Sequence, residues 1–281
     1  MPGHLLRRRA TRLRDRDRAA LGSGDVAYFE RLSDTAFRAT EHTSGAWVLA
    51  EQHIAPALGL LAHVVERDRD SRRGDGLVVV RLSYDILGTV PVGPVETGVH
   101  VLRAGRTIEL VEATMAYAGR DVVRLRAWLM APGETGGYAG SRLPRIPSPE
   151  QMGPWEPASV WPGGFIASAQ LRREQVEPGR AAYWVRTDTP LVEGEPVSRL
   201  ARAAGLFDIA NGMTVRADPG EVLFPNVDLT AHLFRQPAGD WVGFDTTVSF
   251  GETGIGLTSS VLHDETGPMG TLAQILTVRP R

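Results

Sequence analysis

The sequence of this 281-residue chain contains an internal repeat, which constrains the fold more than any other feature. Residues 58–62 resemble residues 204–208, with Gly59 matching Gly205 at a spacing of 146. Other pairs at a spacing of 146 or 147 extend the repeat over about residues 36–128: residues 37–40 and 183–186, residues 81–87 and 228–234, Val95 and Val242, Val101 and Val248, Leu110 and Leu257. Chance matches would not share one spacing, so the pattern indicates a tandem duplication.

Each unit of the repeat has the same predicted order of elements: a short strand, one helix and then a run of strands. The helices are predicted at residues 52–66 and 197–210, the second with Ser198 as its N-cap. Segments rich in Val, Ile, Leu and Thr are predicted as strands, at 36–40, 77–87, 93–103, 107–118 and 122–130, and at 182–186, 222–235, 240–249, 254–263 and 269–279. This order predicts an α+β protein with two equivalent halves.

The predicted domain boundaries follow from the repeat and from local composition. The two units occupy residues 25–131 and 179–281, and the proline-rich residues 132–178 are predicted to link them. Residues 1–24 form an Arg-rich extension without the apolar segment of a secretory signal, and they are predicted to be disordered. Nothing after this extension is basic enough to indicate a nucleic-acid partner. No apolar stretch approaches the roughly 20 residues that span a bilayer.

The composition excludes several kinds of catalysis. The chain has no cysteine, and all 31 of its basic Lys and Arg residues are arginine. Thiolate nucleophiles, Cys-ligated zinc, lysine Schiff bases and a P-loop lysine are therefore impossible. Neither a Gly-x-Ser-x-Gly elbow nor a His-x-x-x-His pair occurs, so we predict no metal site. An enzyme with this sequence would work with carboxylates, amides, hydroxyls, histidines and backbone dipoles.

The two halves differ at positions that could carry chemistry. Asp208 in the second predicted helix matches Ala62 of the first unit, and Gln274 in the last strand matches a position near Ala127. Asn226 lies in the predicted strand that follows the second helix. A carboxylate on the inner face of a helix must be paired, hydrated or functional. Spacing alone leaves two interpretations open: a helix cap with ordinary amide contacts, or a functional group of side chains.

Six motifs occur in a fixed order along the chain. They are TSGAW at 43–47, QH at 52–53, VPVGP at 90–94, FPNVDLTAHLFRQP at 224–237, GDWV at 239–242 and GTLAQ at 270–274. In order and spacing these motifs resemble the acyl-CoA thioesterase II family over roughly residues 28–281. The resemblance implies a double hotdog fold, in which each of two tandem units wraps a curved antiparallel sheet around one central helix.

The resemblance also implies which residues act. In that family an Asp on the second helix, a Thr or Asn at the start of the next strand and a Gln on the last strand hold the hydrolytic water. These positions fall on Asp208, Asn226 and Gln274. Asn226 stands where the best-known members have Thr. The first helix continues with Ile54-Ala55 where the family has Gly-Gly.

The function that the resemblance implies is hydrolysis of a fatty acyl-CoA thioester to the free acid and CoA. Asp208 would accept the proton of a water that Asn226 and Gln274 orient, and backbone N–H groups near a helix N-terminus would stabilise the oxyanion. Arginines would bind the CoA phosphates. No cofactor is needed, because the CoA moiety is part of the substrate. We also expect a cytoplasmic protein that could form a homo-oligomer through its sheets.

Two other functions compete with this interpretation. A hotdog protein can bind acyl-CoA or lipid without turnover, which would need the fold but not the reacting side chains. A hotdog hydratase would use an Asp/His pair spaced Asp-x-x-x-x-His. Here Met213 stands where that histidine would follow Asp208, which disfavours hydratase chemistry.

Overall fold

The computed structural model describes residues 27–45 and 47–281. The predicted Arg-rich extension, residues 1–24, lies outside the described residues. The first unit contains two short strands, a long helix and four long strands: β1 (Phe29–Arg31), β2 (Ala36–Ala39), α1 (Ile54–Arg72), β3 (Val78–Ile86), β4 (Pro94–Arg103), β5 (Ile108–Tyr117) and β6 (Arg120–Met130).

The second unit repeats this order after a connecting segment. The connection holds β7 (Pro154–Trp155), α2 (Gly164–Ser168) and three single 3-10 turns, at 136–138, 149–151 and 157–159. The unit itself contains β8 (Ala169–Glu177), β9 (Arg180–Thr187), α3 (Arg199–Ala204), a 3-10 turn (Phe207–Ile209), β10 (Val222–Leu223), β11 (Asp228–Leu233), β12 (Val242–Phe250), β13 (Ile255–Asp264), β14 (Gly267–Thr277) and β15 (Arg279–Pro280).

Thirteen strands of the described residues form one antiparallel sheet that both units share. Their order is β1-β2-β4-β5-β6-β3-β11-β14-β13-β12-β9-β8-β7. From its outer edge to the centre, the first unit contributes β1, β2, β4, β5, β6 and β3. The second unit contributes the equivalent strands β8, β9, β12, β13, β14 and β11 in the same order. The two units therefore have the same topology, and they meet where β3 pairs with β11. The predicted α+β double hotdog architecture is confirmed.

The centre of the sheet shows the duplication directly. Ser83 on β3 lies opposite Thr230 on β11, and their hydroxyl oxygens are 2.9 Å apart. These two residues are 147 positions apart, which is the spacing of the repeat. A residue that pairs with its own duplicate marks the axis that relates the two halves. The sheet is thus continuous because each unit contributes the same edge strand to the junction.

One segment of the sequence repeat has a different spacing in the structure. The sequence matches Phe37 to Tyr183, but Phe37 pairs with Val95 while Val185 pairs with Val242, the duplicate of Val95. By strand register the equivalent of Phe37 is Val185, so the sequence match is wrong by two residues here. A shift of two keeps each side chain on the same face of the sheet, so hydrophobicity cannot distinguish the two alignments.

The central helix α1 is buried on all sides over its first three turns. Every residue from Ala55 to Val65 is buried, so no polar face exists in this part of the helix. The helix begins at Ile54, with His53 as N-cap, and ends at Arg72 rather than at residue 66. Its last residues, ERDRDSR, are mostly charged and are partly or fully exposed, which is why the apolar periodicity stopped short of the true end.

The second helix is shorter than its predicted range, 197–210. Ser198 is the N-cap, since its hydroxyl accepts the Ala201 N–H at 3.0 Å, but α3 ends at Ala204. The chain then continues through Gly205 into the 3-10 turn Phe207–Ile209. Glycine weakens a helix by about 1 kcal/mol relative to alanine, and here it packs against α1. Asp208 consequently lies on a separate turn and not on the helix itself.

The range predicted as a linker, 132–178, contains a strand of the second unit. Strand β8 occupies Ala169–Glu177 and pairs with β9. Its sequence is mostly charged or polar, and all but Leu171 of its residues are partly or fully exposed. A strand near the sheet edge buries little apolar surface, so its sequence lacks the alternation that marks the inner strands.

Gly59 of α1 permits the close crossing of the two helices. A Cβ atom at this position would lie 2.8 Å from the Ala201 carbonyl oxygen and 2.8 Å from Gly205 Cα. We expect Gly59→Ala to lower the free energy of unfolding by about 1–3 kcal/mol, measured by equilibrium unfolding in urea. Gly74→Ala is the matched control, because a Cβ there meets nothing within 4 Å. Equal losses in both variants would contradict this account of the crossing.

Candidate active site

Asp208 is a buried carboxylate held by two amides. It lies on the 3-10 turn Phe207–Ile209 with 6% of its surface exposed. Its Oδ1 accepts the Asn226 Nδ2–H at 2.7 Å and the Gln274 Nε2–H at 3.2 Å. The structure thus brings together the three residues that the sequence singled out. Both donors bind the same oxygen, which leaves Oδ2 of Asp208 available for another partner.

Asn226 reaches Asp208 from a position outside the regular strand. The predicted strand 222–235 is wrong here, since it is broken into β10 and β11, and Asn226 forms only an isolated bridge with Leu276. Just beyond it, the Asp228 carboxylate accepts the Ile275 N–H at 2.7 Å in place of a backbone carbonyl. A side chain thus takes the place of one backbone acceptor in the ladder next to Asn226.

The hydrogen bonds of Asn226 limit what its amide can do. One N–H of Nδ2 donates to Asp208 and the other to the Asp228 carbonyl at 3.1 Å. An amide nitrogen carries two N–H groups, so Asn226 has none left to donate to a water. Any contact of Asn226 with a water must go through its carbonyl oxygen as acceptor. Gln274 keeps one N–H free, because its Nε2 donates only to Asp208 among the described residues.

Burial controls the protonation of Asp208. Loss of solvent raises the pKa of this carboxyl to about 7, and the hydrogen bonds from Asn226 and Gln274 lower it only in part. Desolvation disfavours the charged form of an acid, and no cation among the described residues offsets it. Asp208 therefore changes charge near neutral pH. A carboxylate with such a pKa is suited to accept a proton from water.

His53 approaches Asp208 from the first half of the chain. Its Nδ1 is 3.8 Å from Asp208 Oδ2 and accepts the Ala55 N–H at 3.1 Å as the N-cap of α1. Burial lowers the pKa of His53 to about 3, so the ring is neutral. Because Nδ1 is an acceptor, the ring proton sits on Nε2. The two side chains are thus not an ion pair, and His53 does not share a proton with Asp208 as a hydratase pair would.

The sequence analysis did not select His53 as a site residue. Its only signal was the Gln52-His53 pair at the start of the first helix. The contact joins residues 155 positions apart, and it depends on how α1 lies against the second unit.

No group of three His, Asp or Glu side chains suited to a metal ion occurs within residues 27–45 and 47–281.

A cavity of about 560 Å³ opens next to Asp208, between the two halves. Its polar lining includes Gln52, His53, Asp208 and Asn226. The remaining lining is mainly apolar and comes from four segments of the chain: Trp47, Val48 and Ile54; Ile86, Leu87 and Val90; Trp161 and Ile166; Ile209, Met213, Leu223 and Pro225. Such a cavity, apolar with a few polar groups at one point, is the usual form of a site for a small organic ligand.

The N-terminus of α1 faces this cavity. Ile54 lines the cavity. Because it is the first residue of the helix, its N–H has no acceptor within the helix. The Ala55 N–H is taken by His53, and Pro56 has no N–H. Ile54 therefore offers the one first-turn N–H that is free to bind a ligand from this helix. The dipole of a 19-residue helix adds partial positive charge at this point.

The corresponding place in the first half has no polar group. Strand register and the repeat spacing match Asp208 to Ala62, Asn226 to Val79 and Gln274 to Ala127. All three first-half residues are fully buried and apolar. The duplicated fold thus carries one complete set of polar site residues. The two halves therefore differ at the positions that the sequence indicated, Ala62 and Ala127. They also differ at Val79, which matches Asn226.

The fold and the cavity define the class of this protein: a double hotdog protein with one polar site, built at the junction of its halves. Acyl-CoA thioesterase N-terminal and C-terminal domains match residues 43–130 and 140–278. The chain belongs to the acyl-CoA thioesterase family, which confirms the resemblance seen in its motifs.

Solved structures share the fold over nearly the whole chain. An acyl-CoA thioesterase II from Mycobacterium marinum is 15% identical, with a TM-score of 0.63 over 90% of this chain and 95% of its own. The tesB protein of Mycobacterium avium subs paratuberculosis is 18% identical, with a TM-score of 0.66 over 90% and 96%. A hot dog protein of unknown function from Alicyclobacillus acidocaldarius is 14% identical, with a TM-score of 0.71 over 91% and 97%.

The comparisons support the family and the fold but not a particular substrate. The search of curated proteins gives no match. The solved structures named above are all below 25% identity, so they support the fold and not a particular substrate. Among the described residues, no helix is both long and apolar enough to cross a membrane.

Proposed function

We propose that this protein hydrolyses acyl-CoA thioesters at the Asp208 site. The observation that carries the proposal is a buried carboxylate with a pKa near 7, held by two amides beside an apolar cavity. A base, a route for a water and a place for an acyl chain are thus side by side. The membership in the acyl-CoA thioesterase family supports the same chemistry.

The hydrolytic step needs only an oriented water and a base. The Oδ2 atom of Asp208 accepts one proton of the water, while Asn226 and Gln274 hold Oδ1 and so fix the plane of the carboxylate. The carbonyl oxygen of Asn226 is available to accept the second water proton. The water oxygen attacks the thioester carbonyl, the C–S bond breaks and CoA leaves as the thiol with the proton that Asp208 received. No covalent enzyme intermediate is formed.

The developing oxyanion requires a hydrogen-bond donor on the other side of the carbonyl carbon. The Ile54 N–H at the start of α1 supplies one, strengthened by the helix dipole. This donor comes from the first half, whereas the base comes from the second. The site therefore needs both halves of the chain.

We infer different places for the two parts of the substrate. Its apolar lining suits a fatty acyl chain, and no arginine lines it within the described residues. The CoA phosphates would then lie outside the cavity, where surface arginines can reach them. Cofactors and metal ions have no role in this mechanism.

The rate of hydrolysis should depend on pH through Asp208. The carboxylate is the active form, so we expect kcat/KM to rise with pH through about 7 and to level off above about pH 8. His53 stays neutral over this range, because its pKa is lowered to about 3, and it adds no second limb. The cavity lining also contains a second carboxylate, Glu51, in addition to Asp208. A thiol-release assay between pH 5 and 9 measures the profile, and a flat profile would contradict the assignment.

A further inference from the structure

Two neighbouring buried side chains next to the proposed base each carry a polar atom without a hydrogen-bond partner among the described residues. Thr258 on β13 and Gln274 on β14 are directly paired residues, and their side chains are 0% and 1% exposed. Neither the Thr258 hydroxyl nor the Gln274 Oε1 has a hydrogen-bond partner within the described residues. Paired residues of an antiparallel sheet have Cβ atoms about 5 Å apart on the same face. An unmet hydroxyl donor and an unmet carbonyl acceptor are therefore neighbours.

The matched pair in the first half shows that the fold does not need this hydroxyl. Val111 pairs with Ala127 at the same register, 147 residues earlier, and both are fully buried. Valine has nearly the same shape as threonine, so packing alone would be met by an apolar side chain. Leaving a buried polar group without a partner costs about 1–3 kcal/mol. The hydroxyl at Thr258 thus has a cost that the first half avoids.

The neighbouring hydroxyls do not provide the missing partner. Thr246 and Ser260, the next buried polar residues on this face, hydrogen-bond each other at 2.7 Å. The Thr258 hydroxyl can instead bond to Gln274 Oε1 through one buried water. That bond has a consequence for Asp208, because a glutamine amide can rotate by 180° and exchange its oxygen and nitrogen. In the rotated state Oε1 would face the carboxylate, and two acceptors would repel each other.

We propose that Thr258 is a positioning residue, whose hydroxyl binds Gln274 Oε1 through one buried water and so keeps Nε2 directed at Asp208. This inference rests on the proposed function of Asp208 as the base. It adds a residue that touches neither the hydrolytic water nor the substrate. Gln274 transmits its effect, since the amide that binds Thr258 on one side binds Asp208 on the other.

The test compares three variants over a range of acyl-CoA concentrations and across pH. Thr258→Val should lower kcat about fivefold with KM unchanged, the effect of one hydrogen bond. It should also move the acid limb of the rate profile to higher pH, because a donor to the Asp208 carboxylate is lost. Thr258→Ser keeps the hydroxyl and should stay within about twofold of wild type. Thr247→Val, on the exposed face of β12, is the matched control for losing a threonine hydroxyl.

A second readout is independent of turnover. In ¹⁵N-labelled protein the Gln274 side-chain amide is identified by its absence in Gln274→Ala, and its protons should exchange faster in Thr258→Val but not in Thr258→Ser. Wild-type protein that hydrolyses no acyl-CoA would overturn the proposed function, while this readout would still test Thr258. Unchanged exchange and an unmoved acid limb in Thr258→Val would overturn the positioning role, as would a Thr258→Ser variant as impaired as Thr258→Val.

Discussion

Replacing Asp208 by asparagine is expected to lower kcat for acyl-CoA hydrolysis by roughly 10²–10⁴-fold, the usual contribution of a general base. The new side chain has the same shape, and its carbonyl oxygen can still accept from Asn226 and Gln274. The loss should therefore fall on kcat and leave KM little changed. Release of free thiol from acyl-CoAs of several chain lengths measures both constants. Asp34→Asn, a change at an exposed carboxylate, is the control.

The same substitution should raise stability by an amount that depends on pH. The folded protein keeps a proton on Asp208 up to about pH 7, whereas the unfolded chain releases it near pH 4. Wild-type stability therefore falls between these values, by about 4 kcal/mol in total. Asp208→Asn lacks this loss, so it should be more stable than wild type above pH 7. Urea unfolding at pH 5 and pH 8.5 measures the difference.

The two readouts separate the possible outcomes. An inactive Asp208→Asn protein with higher stability at pH 8.5 fits a buried base whose ionisation costs folding energy. Equal rates in both proteins would contradict the assigned site. No thiol release from any acyl-CoA by wild type would favour the alternative of a non-catalytic acyl-CoA or lipid binder.

Replacing Ile54 by proline is expected to lower kcat by roughly 10²–10³-fold, the range seen when one oxyanion donor is lost. Proline at the first position of a helix is well tolerated, because that N–H has no acceptor within the helix. His53, the preceding residue, has φ −63° and ψ 132°, which is the conformation that a following proline favours. The substitution thus removes the proposed donor with little effect on the helix.

The control for this prediction keeps the N–H and changes the side chain. Ile54→Val and Ile54→Ala should retain kcat within a few-fold, with any effect on KM from the altered cavity wall. A circular dichroism spectrum and an unfolding curve show whether α1 is intact in each variant. A folded Ile54→Pro protein with wild-type kcat would exclude the Ile54 N–H as the oxyanion donor.

The repeat in the sequence predicted most of the fold, because equivalent strands of the two units lie at one constant spacing along the chain. Strands predicted at 254–263 and 107–118 occur at Ile255–Asp264 and Ile108–Tyr117, within one residue of the repeat spacing. Inner strands carry long apolar alternations, so their signal is strong. Strand β8, next to the edge of the sheet, carries none and lay inside the predicted linker. Local hydrophobicity thus locates the elements that are buried on one face.

The site was only partly predictable, for reasons of range and geometry. Asp208 and Gln274 could be found because the matched first-half residues are alanines. The approach of His53, and with it the Ile54 N–H, depends on how α1 packs against the other half. The position of Asn226 outside its predicted strand depends on a side-chain bond from Asp228. Contacts of this kind are not encoded in the periodicity of one segment.

The most direct test of the account follows the oxygen of the attacking water. In a single turnover in H₂¹⁸O, with enzyme in excess over acyl-CoA, direct attack by water predicts one ¹⁸O atom in every product acid and none in Asp208. Mass spectrometry of the product and of the peptide that contains Asp208 measures both. An unlabelled first-turnover acid together with ¹⁸O in the Asp208 carboxylate would contradict the account, because the carboxylate would then have attacked the thioester itself.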